Sequence, residues 1–175
     1  GLTLLARGLE REGEQDAALR VLREGVIRHP RDVWLPYDLA RALERTSPPQ
    51  TDEAIRFYSV ARALRPESAT WMGFSLVNAR RAEEAAGVLR DVVRLRPDDP
   101  RAWDILGLAL ASLGRVDEAD VARETAEAAY RDQIRRHPDD GAFHTNLGML
   151  LRRQGRKDEA LAEHAEAVRL EPELY

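Results

Sequence analysis

The chain has 175 residues, of which 33% are charged and 6% aromatic, and its net charge is −4 with the two signs interspersed. It lacks the basic footprint that nucleic-acid binding demands, and no apolar run reaches the length of a membrane span, so neither nucleic acid nor membrane is an expected partner. The absence of cysteine excludes a disulfide scaffold and a thiolate zinc site and is compatible with a reducing, cytoplasmic compartment.

An apolar residue followed by glycine or alanine recurs along the chain. The pairs are Leu5-Ala6, Leu39-Ala40, Met72-Gly73, Leu106-Gly107 and Leu147-Gly148, at intervals of 34, 33, 34 and 41 residues. Each pair is followed by a small residue opening a second apolar run (Ala18, Ala54, Ala85, Ala119, Ala160) and then by a proline (Pro30, Pro66, Pro97, Pro138, Pro172). Proline has no amide donor and disfavours helix in the residue before it, so these five close second helices. Period and punctuation predict five helix-turn-helix units, at about 1–32, 33–67, 68–98, 99–139 and 140–175.

In the first unit, Gly13 ends the first helix where a left-handed residue costs little. In the second, Thr46-Ser47-Pro48-Pro49-Gln50 replaces the glycine turn and still separates two helices. The third is shortened between Pro66 and Met72. Its first helix is expected to be short and strained, with Ser68 as its cap and Arg80 where other units have a turn glycine.

The fourth unit carries Trp103, Leu106, Leu110 and Leu113 at helical spacing and turns at Gly114. Its second helix is predicted to run from about Val116 to Arg136, about two turns longer than the rest. Whole turns keep Ala119, Ala122, Ala126, Tyr130 and Ile134 on one stripe, and the extension is expected to overhang its neighbours. The fifth unit turns at Gly155 and continues with Leu161, Ala165, Val168 and Leu170 as apolar residues of its second helix. Asp98, Asp99, Asp139 and Asp140 follow two of the prolines and are candidate caps for the next helices.

The fourth unit (Trp103, Leu106-Gly107, Leu110, Gly114, Glu118-Ala119) and the fifth (Leu147-Gly148, Leu151, Gly155, Glu159-Ala160, Ala167, Pro172) resemble tetratricopeptide repeats, and the likeness extends over essentially the whole chain. The resemblance implies an all-α, right-handed superhelical solenoid of about five units forming one array. It also implies a concave groove, lined by first helices, that receives a peptide or helix of a partner protein. The stretch from His29 through Pro66 further resembles the arrays that follow the catalytic domain in some large bacterial serine/threonine protein kinases.

Carried onto this chain, the groove positions two residues beyond each Leu or Met are Arg7, Arg41, Phe74, Leu108 and Met149. One helical turn to either side lie Thr3, Tyr37, Thr70, Asp104 and Thr145, and Arg11, Arg45, Asn78, Ser112 and Arg153. Arg7, Arg11, Arg41 and Arg45 suit an acidic or carboxylate-ended segment, because the guanidinium fork matches a carboxylate. Glu10 and Glu44 are the nearby acids expected to balance them. Phe74, Leu108 and Met149 suit an amphipathic helix or an apolar side chain. The chaperone-binding subclass holds a carboxylate with lysine, asparagine and arginine. Here the corresponding positions offer Thr3, Arg7 and Asp38, or Tyr37, Arg41, Trp71, Arg101 and Ile105, and neither set supplies the asparagines.

No catalytic or metal-binding residue is expected, and no cofactor. His29 and His137 precede prolines, while His144 and His164 have no second histidine four residues away. Adjacent acids such as Glu83-Glu84 and Asp117-Glu118 point apart on a helix. The kinase signatures, the phosphate-binding loop, the dinucleotide fingerprint and the serine-hydrolase elbow are all missing. The competing reading is a structural spacer or a self-associating module, because repeat ends without a polar cap expose apolar surface. Gly1 in place of Met marks the chain as an expected piece of a longer one.

Overall fold

The structure is a computed structural model in which residues 1–172 are described. Ten α-helices follow one another, with no strand among the described residues. They are α1 (Leu2–Arg11), α2 (Gln15–Arg28), α3 (Trp34–Glu44), α4 (Thr51–Leu64), α5 (Thr70–Asn78), α6 (Ala82–Leu95), α7 (Pro100–Ser112), α8 (Val116–Arg136), α9 (Gly141–Arg153) and α10 (Lys157–Leu170). Consecutive helices pack as five hairpins, α1 on α2 through α9 on α10, giving an all-α helical-repeat fold. The helices group into two compact units, Gly1–Leu95 and the part from Arg96 onward. The last three residues of the fifth repeat lie outside the described residues.

Helix ends follow the expected chemistry with some exceptions. Each second helix stops two residues before its proline, at Arg28, Leu64, Leu95, Arg136 and Leu170. Asp99 accepts from the amides of Arg101 and Ala102 at the start of α7, and Asp140 accepts from Ala142 at the start of α9. The caps are therefore Asp99 and Asp140, not their neighbours Asp98 and Asp139. Asp32, which is not among the expected caps, accepts from the amides of Trp34 and Leu35 and starts α3 in the same way. A further recurrence was not anticipated. Arg81, Arg115 and Arg156 donate to the glutamate three residues on, Glu84, Glu118 and Glu159, at 2.7, 2.6 and 2.7 Å. Those bonds hold the Glu84 and Glu159 carboxyls below their ordinary range.

In the first unit, the short α5 is preceded by a 3-10 turn over Pro66–Ala69. Ser68 lies inside that turn and donates its hydroxyl to the Arg65 carbonyl, so it does not cap α5. The strain falls at the other end. Arg80 has φ +59°, in the left-handed region that Gly13, Gly114 and Gly155 occupy at the corresponding turns. A side chain pays for that conformation where glycine does not. The pair glycine Gly73 is required for a different reason, since a Cβ there would come within 2.5 Å of the Leu89 side chain of α6.

In the second unit, α8 is unbroken across its 21 residues. Its stripe is as predicted: Ala119, Ala122, Ala126 and Tyr130 are buried, and Ile134 is partly buried. The added turns do not hang free. Ala126 and Tyr130 form a core with Leu147, Leu150, Leu151 and Ala160, flanked by Trp103, Ile134 and Phe143. The apolar residues expected to be covered on α10 are a correction: Leu161 and Val168 are exposed, and the buried positions are Ala160 and Ala167. Leu161 and Val168 each follow a buried alanine by one residue, which turns them about 100° around the helix away from α9. His164 lies where a Cβ on Gly148 would meet its ring at 2.7 Å, so this pair glycine also marks a close approach.

Candidate functional site

In α1, Thr3, Arg7 and Arg11 recur every four residues along one face, and Glu10 lies three residues beyond Arg7 beside them. In α3, Asp38 and Arg41 likewise share a face, and Arg45 follows four positions on as the residue that ends the helix. The two faces enclose a cavity of about 400 Å³ inside the first unit, with Gln15 and Leu22 of α2 also on its wall. Gln15 holds the end of α3 in place by donating to the Ala42 carbonyl at 2.9 Å. The arginines near the helix C-termini also complement the partial negative charge of the final carbonyls, so the fold tolerates several cations close together.

Four guanidinium groups line this cavity with two carboxylates. Arg7 Nη2 donates to Asp38 Oδ1 at 3.1 Å, and Arg45 Nη1 donates to Glu10 Oε2 at 2.8 Å. The Asp38 side chain is only 9% exposed, and its second oxygen, Oδ2, is buried without a hydrogen-bond donor. Arg41 meets no carboxylate among the described residues; its guanidinium lies 5.6 Å from the centre of the Trp71 ring, which fits a cation–π contact. Arg11 is exposed and makes no ion pair with a described residue. Two positive charges in the cavity are therefore unmatched by acids among the described residues.

Glu44 does not balance these arginines. It turns inward and accepts from the hydroxyls of Tyr58 and Ser75, tying α3 to α4 and α5. Burial, reinforced by the Glu44 carboxylate, pushes the Tyr58 phenol far above its ordinary value, so it stays a neutral donor. Tyr37 is not on the cavity wall. Its ring packs edge-on against Trp34 and Tyr58, at 5.8 and 5.7 Å between centroids. Phe74 is half-buried, edge-on to Trp71, and Asn78 is exposed at the end of α5.

In the second unit, Leu108 and Met149 are half-buried. Arg153 donates to both oxygens of Asp104, a residue 8% exposed. Burial raises the Asp104 carboxyl above its ordinary value, and the Arg153 guanidinium pulls it part of the way back. Arg153 is thus committed to α7. His144 Nδ1 lies 2.7 Å from the Glu163 carboxylate, and His137 stacks on Phe143. Among the described residues no group of three or more His, Asp or Glu is placed to hold a metal ion. No helix among them is long and apolar enough to cross a membrane.

Sequence reasoning brought Arg7, Arg11, Arg41 and Arg45 to one surface. It named Glu10 as a balancing acid, which pairs with Arg45, and missed that Asp38 engages Arg7 and that Trp71 engages Arg41. The spacing of Glu10 from Arg7 and of Asp38 from Arg41 was a usable signal, since residues three apart share a helix face.

The family model described as tetratricopeptide repeat matches residues 72–125 and 120–173, together more than half the chain. Among solved structures, TTC0263, a thermophilic tetratricopeptide protein of Thermus thermophilus, is 25% identical with a TM-score of 0.71, over 98% of this chain and 90% of that one. MamA from Desulfovibrio magneticus RS-1 is 23% identical with a TM-score of 0.62, over 98% of this chain and 94% of that one. YrrB, described as a tetratricopeptide protein with an unusual peptide-binding site, is 18% identical with a TM-score of 0.60, over 98% of this chain and 85% of that one. No curated protein matches the chain.

Proposed function

Because the chain belongs to the tetratricopeptide-repeat family, whose repeats are non-catalytic protein-interaction scaffolds, we propose that it binds an acidic segment of a partner protein in the cavity between α1 and α3. The observation that carries this reading is the excess of four arginines over two carboxylates on one cavity wall. Fork-shaped donors recognise carboxylates through paired, charge-assisted hydrogen bonds. Trp71 and Phe74, beside Arg41, offer an apolar surface for the flanking residues of the same segment. Leu108 and Met149 are the corresponding apolar positions of the second unit, suited to an amphipathic helix. The description of YrrB as peptide-binding is in keeping with this class of partner.

The likeness of residues 29–66 to arrays behind kinase catalytic domains supports a recruiting role within a larger chain. A second reading, self-association, is favoured by the exposure of Leu4, Leu5 and Ile27, at 70%, 54% and 79%. A molar mass that falls on dilution supports it, and a monomer at every concentration removes it.

The test of the main reading is competition at the cavity. Partners captured by the chain are reduced to peptides, and their affinities are measured for the wild type and two sets of variants. Arg7→Ala, Arg41→Ala and Arg45→Ala together are expected to weaken an acidic peptide by at least about tenfold. Phe74→Ala, Leu108→Ala and Met149→Ala together weaken an apolar one. Affinity unchanged by both sets rules these surfaces out.

A further inference from the structure

The two guanidinium groups without a carboxylate differ in kind from the two that have one. Arg7 and Arg45 are neutralised by Asp38 and Glu10 before any ligand arrives. Arg11 has no ion pair with a described residue, and Arg41 rests on an aromatic face, an interaction weaker than a charge pair. Both line the same cavity, so it holds two positive charges available to a ligand. One carboxylate neutralises one of them. A phosphoryl group carries a charge of about −1.5 to −2 at neutral pH and presents three acceptor oxygens.

We infer that the α1–α3 cavity selects a phosphorylated serine or threonine of its partner, with Arg11 and Arg41 as the residues that distinguish phosphate from carboxylate. The inference rests on the reading of this cavity as a partner-binding site. Arg7 and Arg45 supply the surrounding field, while Asp38 and Glu10 set its limit by cancelling half of the cationic charge. Thr3, on the same wall, adds a hydroxyl donor. No histidine lines the cavity, and the titratable groups facing the phosphate are the two carboxylates and the four guanidinium groups.

Three peptide libraries with degenerate flanks and a fixed central serine, glutamate or phosphoserine are titrated onto the intact chain and read by fluorescence anisotropy. The phosphoserine library is expected to bind about tenfold more tightly than the glutamate library near pH 7.5. That advantage fades as the pH falls through about 6, where the phosphate regains its second proton. Arg11→Ala combined with Arg41→Ala brings the phosphoserine library down to the glutamate level. Arg11→Ala alone, at an exposed position, keeps the fold and lowers phosphoserine binding by roughly threefold, whereas Glu10→Gln frees Arg45 and raises it by a similar factor. Equal affinity for the two libraries, both weakened by the double variant, overturns the phosphate inference and leaves the acidic-segment reading standing. No binding to either library, or binding that the double variant leaves intact, overturns both. Displacement of the phosphoserine library by inorganic phosphate at equal concentration overturns selection of a phosphorylated partner, because the cavity would then hold the free anion.

Discussion

Two aspartate–arginine pairs link first helices, one in each compact unit, and they are closed to different degrees. In the first unit Arg7 reaches one oxygen of Asp38 and is 54% exposed, while the other oxygen has no donor. In the second, Arg153 takes both oxygens of Asp104 and is 34% exposed. The first arrangement leaves one carboxylate oxygen buried without a donor among the described residues; the second engages both oxygens and fastens α9 to α7. The two pairs thus differ at the carboxylate and not at the guanidinium, since in each a single arginine nitrogen, Nη2, does the donating.

The comparison can be tested by stability as well as by binding. The largest effect is expected from the core that α8 builds in the second unit. Tyr130→Ala should cost about 3–5 kcal/mol in urea denaturation, since a fully buried aromatic leaves a cavity behind. A loss below about 1 kcal/mol would mean that the added turns of α8 contribute little packing. Next, Asp104→Asn is expected to cost about 1–3 kcal/mol, and Asp38→Asn less than about 1 kcal/mol. The reverse order would break the distinction between the closed and the open pair. The smallest effect concerns the turns. Arg80→Gly should stabilise the chain by about 1 kcal/mol, and Gly114→Ala should destabilise it by about the same amount, because only glycine adopts the left-handed conformation without cost. Equal tolerance of both changes would show that the two turns differ less than their residues suggest.

Much of the fold was legible. The pairs, turn glycines and prolines are local features acting through backbone sterics and amide chemistry, and they marked the helices and the uninterrupted length of α8. Errors arose where contact between helices decided the outcome. Leu161 and Val168 look like core residues by type, yet they sit on the side of α10 turned away from α9. Ser68 resembles a cap, but its hydroxyl is taken by the Arg65 carbonyl inside a 3-10 turn. Glu44 has the look of a surface counter-charge and is instead the acceptor for two hydroxyls from other helices.

The same division holds for the candidate site. Sequence alone determined that Arg7 and Arg11 share one helix face and Arg41 and Arg45 another, because side chains three or four residues apart lie side by side on an α-helix. Only the tertiary structure decided which of them meets an acid, which meets Trp71 and which is left facing the cavity. Those outcomes depend on distances between helices, and a linear pattern of charges does not contain them.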